Sequence, residues 1–143
     1  MFPLEEATKH SLLRRLEFAR SELNDLKEYT NLDYQTYSTQ RVIRRNVERM
    51  IENICNALTD IGKIIIAQSD DEMPETYKEV FVRLGALGFI DQDVAAALAG
   101  ATKLRNVLAH QYLDIKWQYI REFLVHDVKE AERFVAVVER WLS

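Results

Sequence analysis

The chain of 143 residues is long enough for one domain with a full hydrophobic core. Apolar residues make up 48% and charged residues 29%, which excludes a disordered chain, and a total of 4 Gly and 2 Pro leaves little room for the turns an all-β protein needs. A net charge of −4, from 19 basic and 23 acidic residues, argues against coating nucleic acid through overall charge but leaves open a local basic cleft.

The opening stretch MFPLEEATKH carries two acids where a secretory leader would carry positive charge. No apolar run approaches the roughly 18 residues of a membrane span. The expectation is a cytoplasmic protein with no membrane association. Leu12, Leu16, Ala19, Leu23 and Leu26 then step at helical spacing and predict an amphipathic helix from about residue 5 to 30. In TNLD, Asn31 and Asp33 are alternative caps for a long second helix, whose stripe of Ile43, Val47, Met50, Ile54, Leu58, Ile61 and Ile65 runs to about residue 68. Cys55 is the one cysteine, so there is no intramolecular disulfide and no multi-cysteine metal site, and its place after Ile54 predicts a packed thiol.

SDDEMPET interrupts the rhythm, and its Asp70, Asp71 and Glu72 read as a solvated turn, not a metal cluster. Pro74 stands near the start of a short third helix through Leu84, ended by Gly85 and Gly88. Asp91 is the expected N-cap of a fourth helix, with Asp93 as a first-turn acid and Val94, Ala97, Ala101, Leu104 and Leu108 as its buried stripe. A last helix from about Asp114 to the end keeps Trp117, Ile120, Leu124, Val128, Ala131, Val135, Val138 and Leu142 in register. His10 and His126 stand among charged neighbours and read as surface residues. The whole is an all-α, up-and-down bundle of four main helices plus one short one, a single domain over residues 1–143.

Within the fourth helix, LRNVLAHQYLD interleaves Arg105, Asn106, His110 and Tyr112 with buried leucines. Arg105 and Tyr112 are seven steps apart and fall within roughly 20° of each other, provided the helix runs that far. Asn106 and His110 stack at four steps, so all four groups would border one groove. The alternative from spacing alone is a surface histidine and an edge-packed Arg–Tyr pair. Arg41, Arg45 and Arg49 form a second feature, stacked at i, i+4, i+8 with Arg44 beside them. They offer an electrostatic rim for RNA, or ion pairs with Glu48 and Glu52.

The run of Arg105, four residues, His110, one residue and Tyr112, with the polar Asn106 after Arg, resembles the signature of the HEPN superfamily. It is most similar to the HepT-like branch, toxin partners of the MntA minimal nucleotidyltransferase. Pro74, Glu75, Thr76 and Tyr77, then Phe81, Leu84, Gly88, Phe89 and Ile90, resemble that family's linker and short helix, and the likeness covers roughly residues 33 to 142. It implies a HEPN-type bundle and a metal-independent endoribonuclease without cofactor, acting on tRNA or mRNA. Arg105, Asn106 and His110 would be its catalytic residues. It also implies a homodimer that pairs two such motifs across one cleft, and an MntA-type antitoxin that transfers AMP to Tyr112.

Ala95, Ala96, Ala99 and Gly100 would allow close backbone approach in the fourth helix, or simply favour helix. Two other readings stay open: a non-catalytic nucleotide-binding or accessory subunit of a nucleotidyltransferase, and a structural helical adaptor.

Overall fold

The computed structural model describes residues 4–69, 72–110 and 112–143, with the side chain of His110 outside that description. Its elements are α1 (Glu6–Leu26), a 3-10 turn (Lys27–Tyr29), α2 (Tyr34–Thr39), α3 (Arg41–Ala67) and α4 (Tyr77–Ala86). There follow α5 (Gln92–Ala101), α6 (Leu104–His110), α7 (Leu113–Glu122), a π-helical turn (Phe123–Asp127) and α8 (Val128–Leu142). No strand occurs among the described residues, and the all-α bundle is as expected.

The apolar stripes set the packing. All five stripe residues of α1 are buried, and α1 lies against both α3 and α8. On α3, Val47, Ile54, Leu58, Ile61 and Ile65 are buried while Ile43 and Met50 are partly so. Cys55 is buried as expected, and burial pushes its thiol up to about 12. Helix α4 bridges α3 and α5, and α5 closes onto α8. Ion pairs trim the surface: Arg20 with Glu139 and Lys27 with Glu132 fasten α1 and its following turn to α8. Each exposed pair contributes little by itself.

The structure redraws several boundaries. Asp33 does act as a cap, accepting from the Thr36 N–H at 2.8 Å, but it caps the short α2, and the long helix starts only at Arg41. Gln40, at φ −99° and ψ 88°, breaks the run between them. The third helix begins at Tyr77, three residues after Pro74, and is capped by the Thr76 hydroxyl. It passes through Gly85 and ends at Gly88, whose φ of +75° suits glycine. There the Phe89 N–H donates to the Leu84 carbonyl at 3.0 Å and the Gly88 N–H to that of Gly85 at 3.1 Å, the paired bonds of a Schellman ending.

The expected fourth helix is two helices. Thr102 donates its hydroxyl to the Ala99 carbonyl at 2.6 Å, and the Lys103 N–H reaches only to Gly100. This tightened turn, next to a weak helix former, ends α5 before α6 restarts at Leu104. The last helix carries the π turn at Phe123–Asp127, which shifts the register between α7 and α8. Asp91 precedes α5 as expected, yet its side chain caps no N–H and instead meets Arg133 at 3.0 Å.

Gly85 and Gly100 should respond oppositely to a side chain. A Cβ on Gly85 would sit 2.8 Å from the Cβ of Ala95, whereas one on Gly100 would meet nothing within 4 Å. Gly85→Val should therefore destabilise by about 2–3 kcal/mol, and Gly100→Ala should stabilise by about 0.5–1 kcal/mol, in urea unfolding. Similar effects at both sites would refute this packing of α4 on α5.

Candidate functional site

The seven residues of α6 carry Arg105, Asn106 and His110. Leu104 and Leu108 are buried, and Ala101 just before the turn is buried as well. At about 100° per residue, fixing Leu104 inward turns Arg105 to the flank and Asn106 outward. Arg105 is indeed half-buried and Asn106 exposed, and the Asn106 side chain has no hydrogen-bond partner among the described residues. His110 is the last residue of α6, and nothing further is described of it.

Tyr112 departs from the expected groove. The helix stops at His110, and Tyr112 takes extended backbone, φ −72° and ψ 161°, as the residue leading into α7. Arg105 and Tyr112 therefore do not share a helical face. Tyr112 is 81% exposed, the most open aromatic side chain of the described chain. The exit of the chain at this point is set by α2 and α7. The ring of Tyr37, fully buried, packs against Trp117 at 5.3 Å between centroids, with Tyr34 on the same indole at 6.2 Å. The Tyr37 hydroxyl donates to Glu48 at 3.3 Å, and Lys116 reaches the same carboxylate at 3.6 Å. Burial, reinforced by Glu48, raises the Tyr37 phenol well above its ordinary range, so it stays a neutral donor.

Arg105 finds a partner that the sequence did not indicate. Its guanidinium carbon stands 4.8 Å from the ring centroid of Tyr77, at the start of α4, and Lys63 Nζ of α3 stands 4.8 Å from the same centroid. The Tyr77 phenol is lowered from its ordinary value, first by hydrogen bonding with Arg105, then by the charges of Arg105 and Lys63. Positions 63, 77 and 105 belong to three helices, so no spacing along the chain brings them together.

The arginine line on α3 divides. Arg44 donates to the carbonyls of Tyr37 and Ser38, at 3.2 and 3.0 Å, and so fastens the end of α2. Arg41, Arg45 and Arg49 are exposed and form no ion pair among the described residues. The expected alternative of pairing with Glu48 is not used, because Lys116 and Tyr37 hold that carboxylate. Arg49 borders a surface hollow shared with Glu22, Asp25 and Glu28.

The small residues of α5 also divide. Ala95 and Ala99 are buried, while Ala96 and Gly100 border a cleft of about 340 Å³ shared with Lys103, Tyr119, Glu122 and Asp127. His10 and His126 lie at the surface as expected. Of the Asp70–Asp71–Glu72 turn, Asp70 and Asp71 lie outside the described residues, and Glu72 is exposed. Among the described residues, no group of three or more His, Cys, Asp or Glu side chains stands together in a way that could hold a metal ion. Nor is any described helix long and apolar enough to cross a membrane.

Residues 19–138 match the family model described as Ribonuclease HepT-like. The match starts inside α1, earlier than the likeness read from the sequence. A tRNA nuclease HepT of Aphanizomenon flos-aquae is 30% identical over 101 residues, 71% of this chain and 69% of that protein. An mRNA nuclease HepT of Shewanella oneidensis is 24% identical over 105 residues, 73% of this chain and 76% of that one. Among solved structures, the tri-AMPylated Shewanella oneidensis HEPN toxin in complex with MNT antitoxin superposes with a TM-score of 0.79. It is 18% identical, over 90% of this chain and 96% of the other, which shows a shared fold.

Asp127, in the π turn, gives a pH test of the site's surroundings. Burial, with Glu122 nearby, raises its carboxyl from 3.8 to about 6. The folded state thus holds this proton more tightly than the unfolded chain, so stability is fullest below about pH 4 and falls as pH rises through about 6. Asp127→Asn should gain about 1–2 kcal/mol near pH 7.5, less than the full shift implies because solvent reaches the group, and nothing near pH 4. A pH-independent gain in urea unfolding would refute the raised carboxyl.

Proposed function

Because the chain belongs to the HepT-like ribonuclease family, we propose that it is an endoribonuclease toxin that cuts tRNA or mRNA in the cytoplasm without a metal ion or cofactor. The observation that carries this reading is the state of Arg105. It is half-buried, stands over the Tyr77 ring, and has no carboxylate partner among the described residues. It stands on the same short helix as Asn106 and His110. A structural arginine in this bundle is engaged otherwise: Arg20 and Arg133 meet carboxylates, and Arg44 meets carbonyls.

The chemistry assigned to these residues is transesterification. The RNA 2′-oxygen attacks its own phosphorus as its proton passes to a base. The negative charge grows on the non-bridging oxygens, and the 5′-oxygen leaves as it takes a proton. The products are a 2′,3′-cyclic phosphate and a 5′-hydroxyl. An imidazole, such as His110 carries, can give or take a proton near neutral pH. Arg105 supplies N–H donors to the phosphorane oxygens. Asn106, exposed and without a partner among the described residues, is free to orient His110 or donate to phosphate.

One imidazole cannot be base and acid at the same instant. The proposal therefore includes a homodimer whose two motifs face one cleft. Exposed Arg41, Arg45 and Arg49 supply an RNA-facing rim despite the acidic total, with Arg44 beside them serving α2.

Control of the toxin is assigned to an MntA-type nucleotidyltransferase acting on Tyr112. Its phenolic oxygen would attack the α-phosphorus of ATP, lose its proton and release pyrophosphate. The exposed, extended setting of Tyr112 leaves it open to such an enzyme. The added phosphodiester would bring negative charge to the α6–α7 turn and compete with RNA phosphate for Arg105.

In EDTA, the native protein should cleave mixed tRNA and mRNA to cyclic-phosphate ends. His110→Ala should lose roughly 10²–10⁴-fold activity with its helical circular dichroism intact. Equal cleavage by both would remove His110 from the reaction, and no cleavage by unmodified native protein would favour a nucleotide-binding accessory subunit. With the nucleotidyltransferase and labelled ATP, the native chain should take up AMP and Tyr112→Phe should not. Undiminished labelling of that variant would place the modification elsewhere.

A further inference from the structure

Three helices bring two cations to one exposed ring. Tyr77 opens α4 and is 42% exposed, Lys63 comes from α3, and Arg105 comes from α6. The approach of α3 to α4 is fixed one residue from Lys63. A Cβ on Gly62 would lie 2.6 Å from Val80 Cγ1, so only glycine allows this spacing without repacking. Lys63 is thereby held beside the start of α4, where Tyr77 stands.

Among the described residues, no ion pair offsets these two charges. Lys63 and Arg105 each lie 4.8 Å from the centroid, so they are at most twice that distance apart, within reach of mutual repulsion at ordinary ionic strength. Neither meets a carboxylate at ion-pair distance among the described residues, in contrast to Arg20, Lys27, Lys116 and Arg133. Asp60 opposes the lowering of the Tyr77 phenol, but as the least of the influences on it. A ring supplies a quadrupole but leaves most of a guanidinium's N–H donors unused. What such an arrangement lacks is a bridging anion.

Resting on the ribonuclease reading, we propose that Lys63, Tyr77 and Arg105 form a clamp for the RNA phosphodiester backbone. Tyr77 is the positioning residue that sets the Arg105 guanidinium, and Lys63 is a second phosphate contact. Tyr77 works through its ring face, which orients Arg105 without neutralising it, while Lys63 adds a point charge on a flexible stem. The two cations share one phosphate or grip neighbouring ones.

The test uses two substrates, a cleavable RNA oligonucleotide and its fully 2′-O-methylated copy, which binds but cannot react. Lys63→Met should weaken binding of the methylated RNA and reduce the salt dependence of log Kd by about 0.7, one phosphate's worth on a single strand, and Lys63→Arg should restore both. Tyr77→Leu should lower kcat by roughly 10- to 100-fold with a smaller change in KM, as expected of a misplaced Arg105. Tyr77→Phe, which keeps the ring, should recover most of that loss. Melting curves show whether each variant folds; if Tyr77→Leu does not, the lysine variants and Tyr77→Phe decide.

Cleavage by the native protein with both Lys63→Met and Tyr77→Leu folded and unaltered would overturn the clamp and leave the ribonuclease standing. Lysine-dependent binding with no cleavage by native protein would keep the clamp and overturn the ribonuclease. Absence of both binding and cleavage would overturn both.

Discussion

The burial of Leu104 and Leu108 governs where the polar residues of α6 are placed. A helix of seven residues is too short to hold itself in water, because it forms few internal hydrogen bonds for the dihedrals it fixes. It persists because two leucines are seated in the core, and that seating fixes its rotation. Arg105 is then one step from the buried line and reaches the flank, where α3 and α4 approach. Asn106 is two steps away and meets solvent. The placement of polar groups is a consequence of where the apolar ones must go.

A second constraint governs how the chain leaves that helix. Trp117 packs against Tyr34 and Tyr37, and Glu48 accepts from Tyr37 and forms an ion pair with Lys116. This small cluster joins α2, α3 and α7, while Arg44 anchors the end of α2 from the other side. With α7 held there, Tyr112 leads into it in extended backbone and in the open. On the proposed function, the modifiable phenol and the phosphate-binding arginine thus belong to different elements.

Charge on this protein has local and not global meaning. The total is acidic, and many exposed cations are spent on carboxylates that tie helices together. Others form no ion pair among the described residues, and of these Arg41, Arg45 and Arg49 on α3 and the Lys63–Arg105 pair at Tyr77 lie close enough together to act jointly on an anion. A field of this kind depends on which cations lack partners, which net charge does not report.

Apolar spacing at 3.6 residues determined by itself which faces of α1, α3 and α8 are buried, because burial on a long helix follows from periodicity alone. The Arg–Asn–His–Tyr run and its family likeness were equally legible, since they lie within eight contiguous residues. The break at Thr102–Lys103 was not, because a hydroxyl bonding back to the Ala99 carbonyl is a weak local choice that packing must tip. The same holds for the separation of α2 from α3, the π turn, and the loss of a common face for Arg105 and Tyr112. Tyr77 and Lys63 lay beyond any reading of spacing. Their meeting with Arg105 exists only once Gly62 lets α4 settle on α3, and contacts between distant parts of a chain are decided by how its buried faces fit.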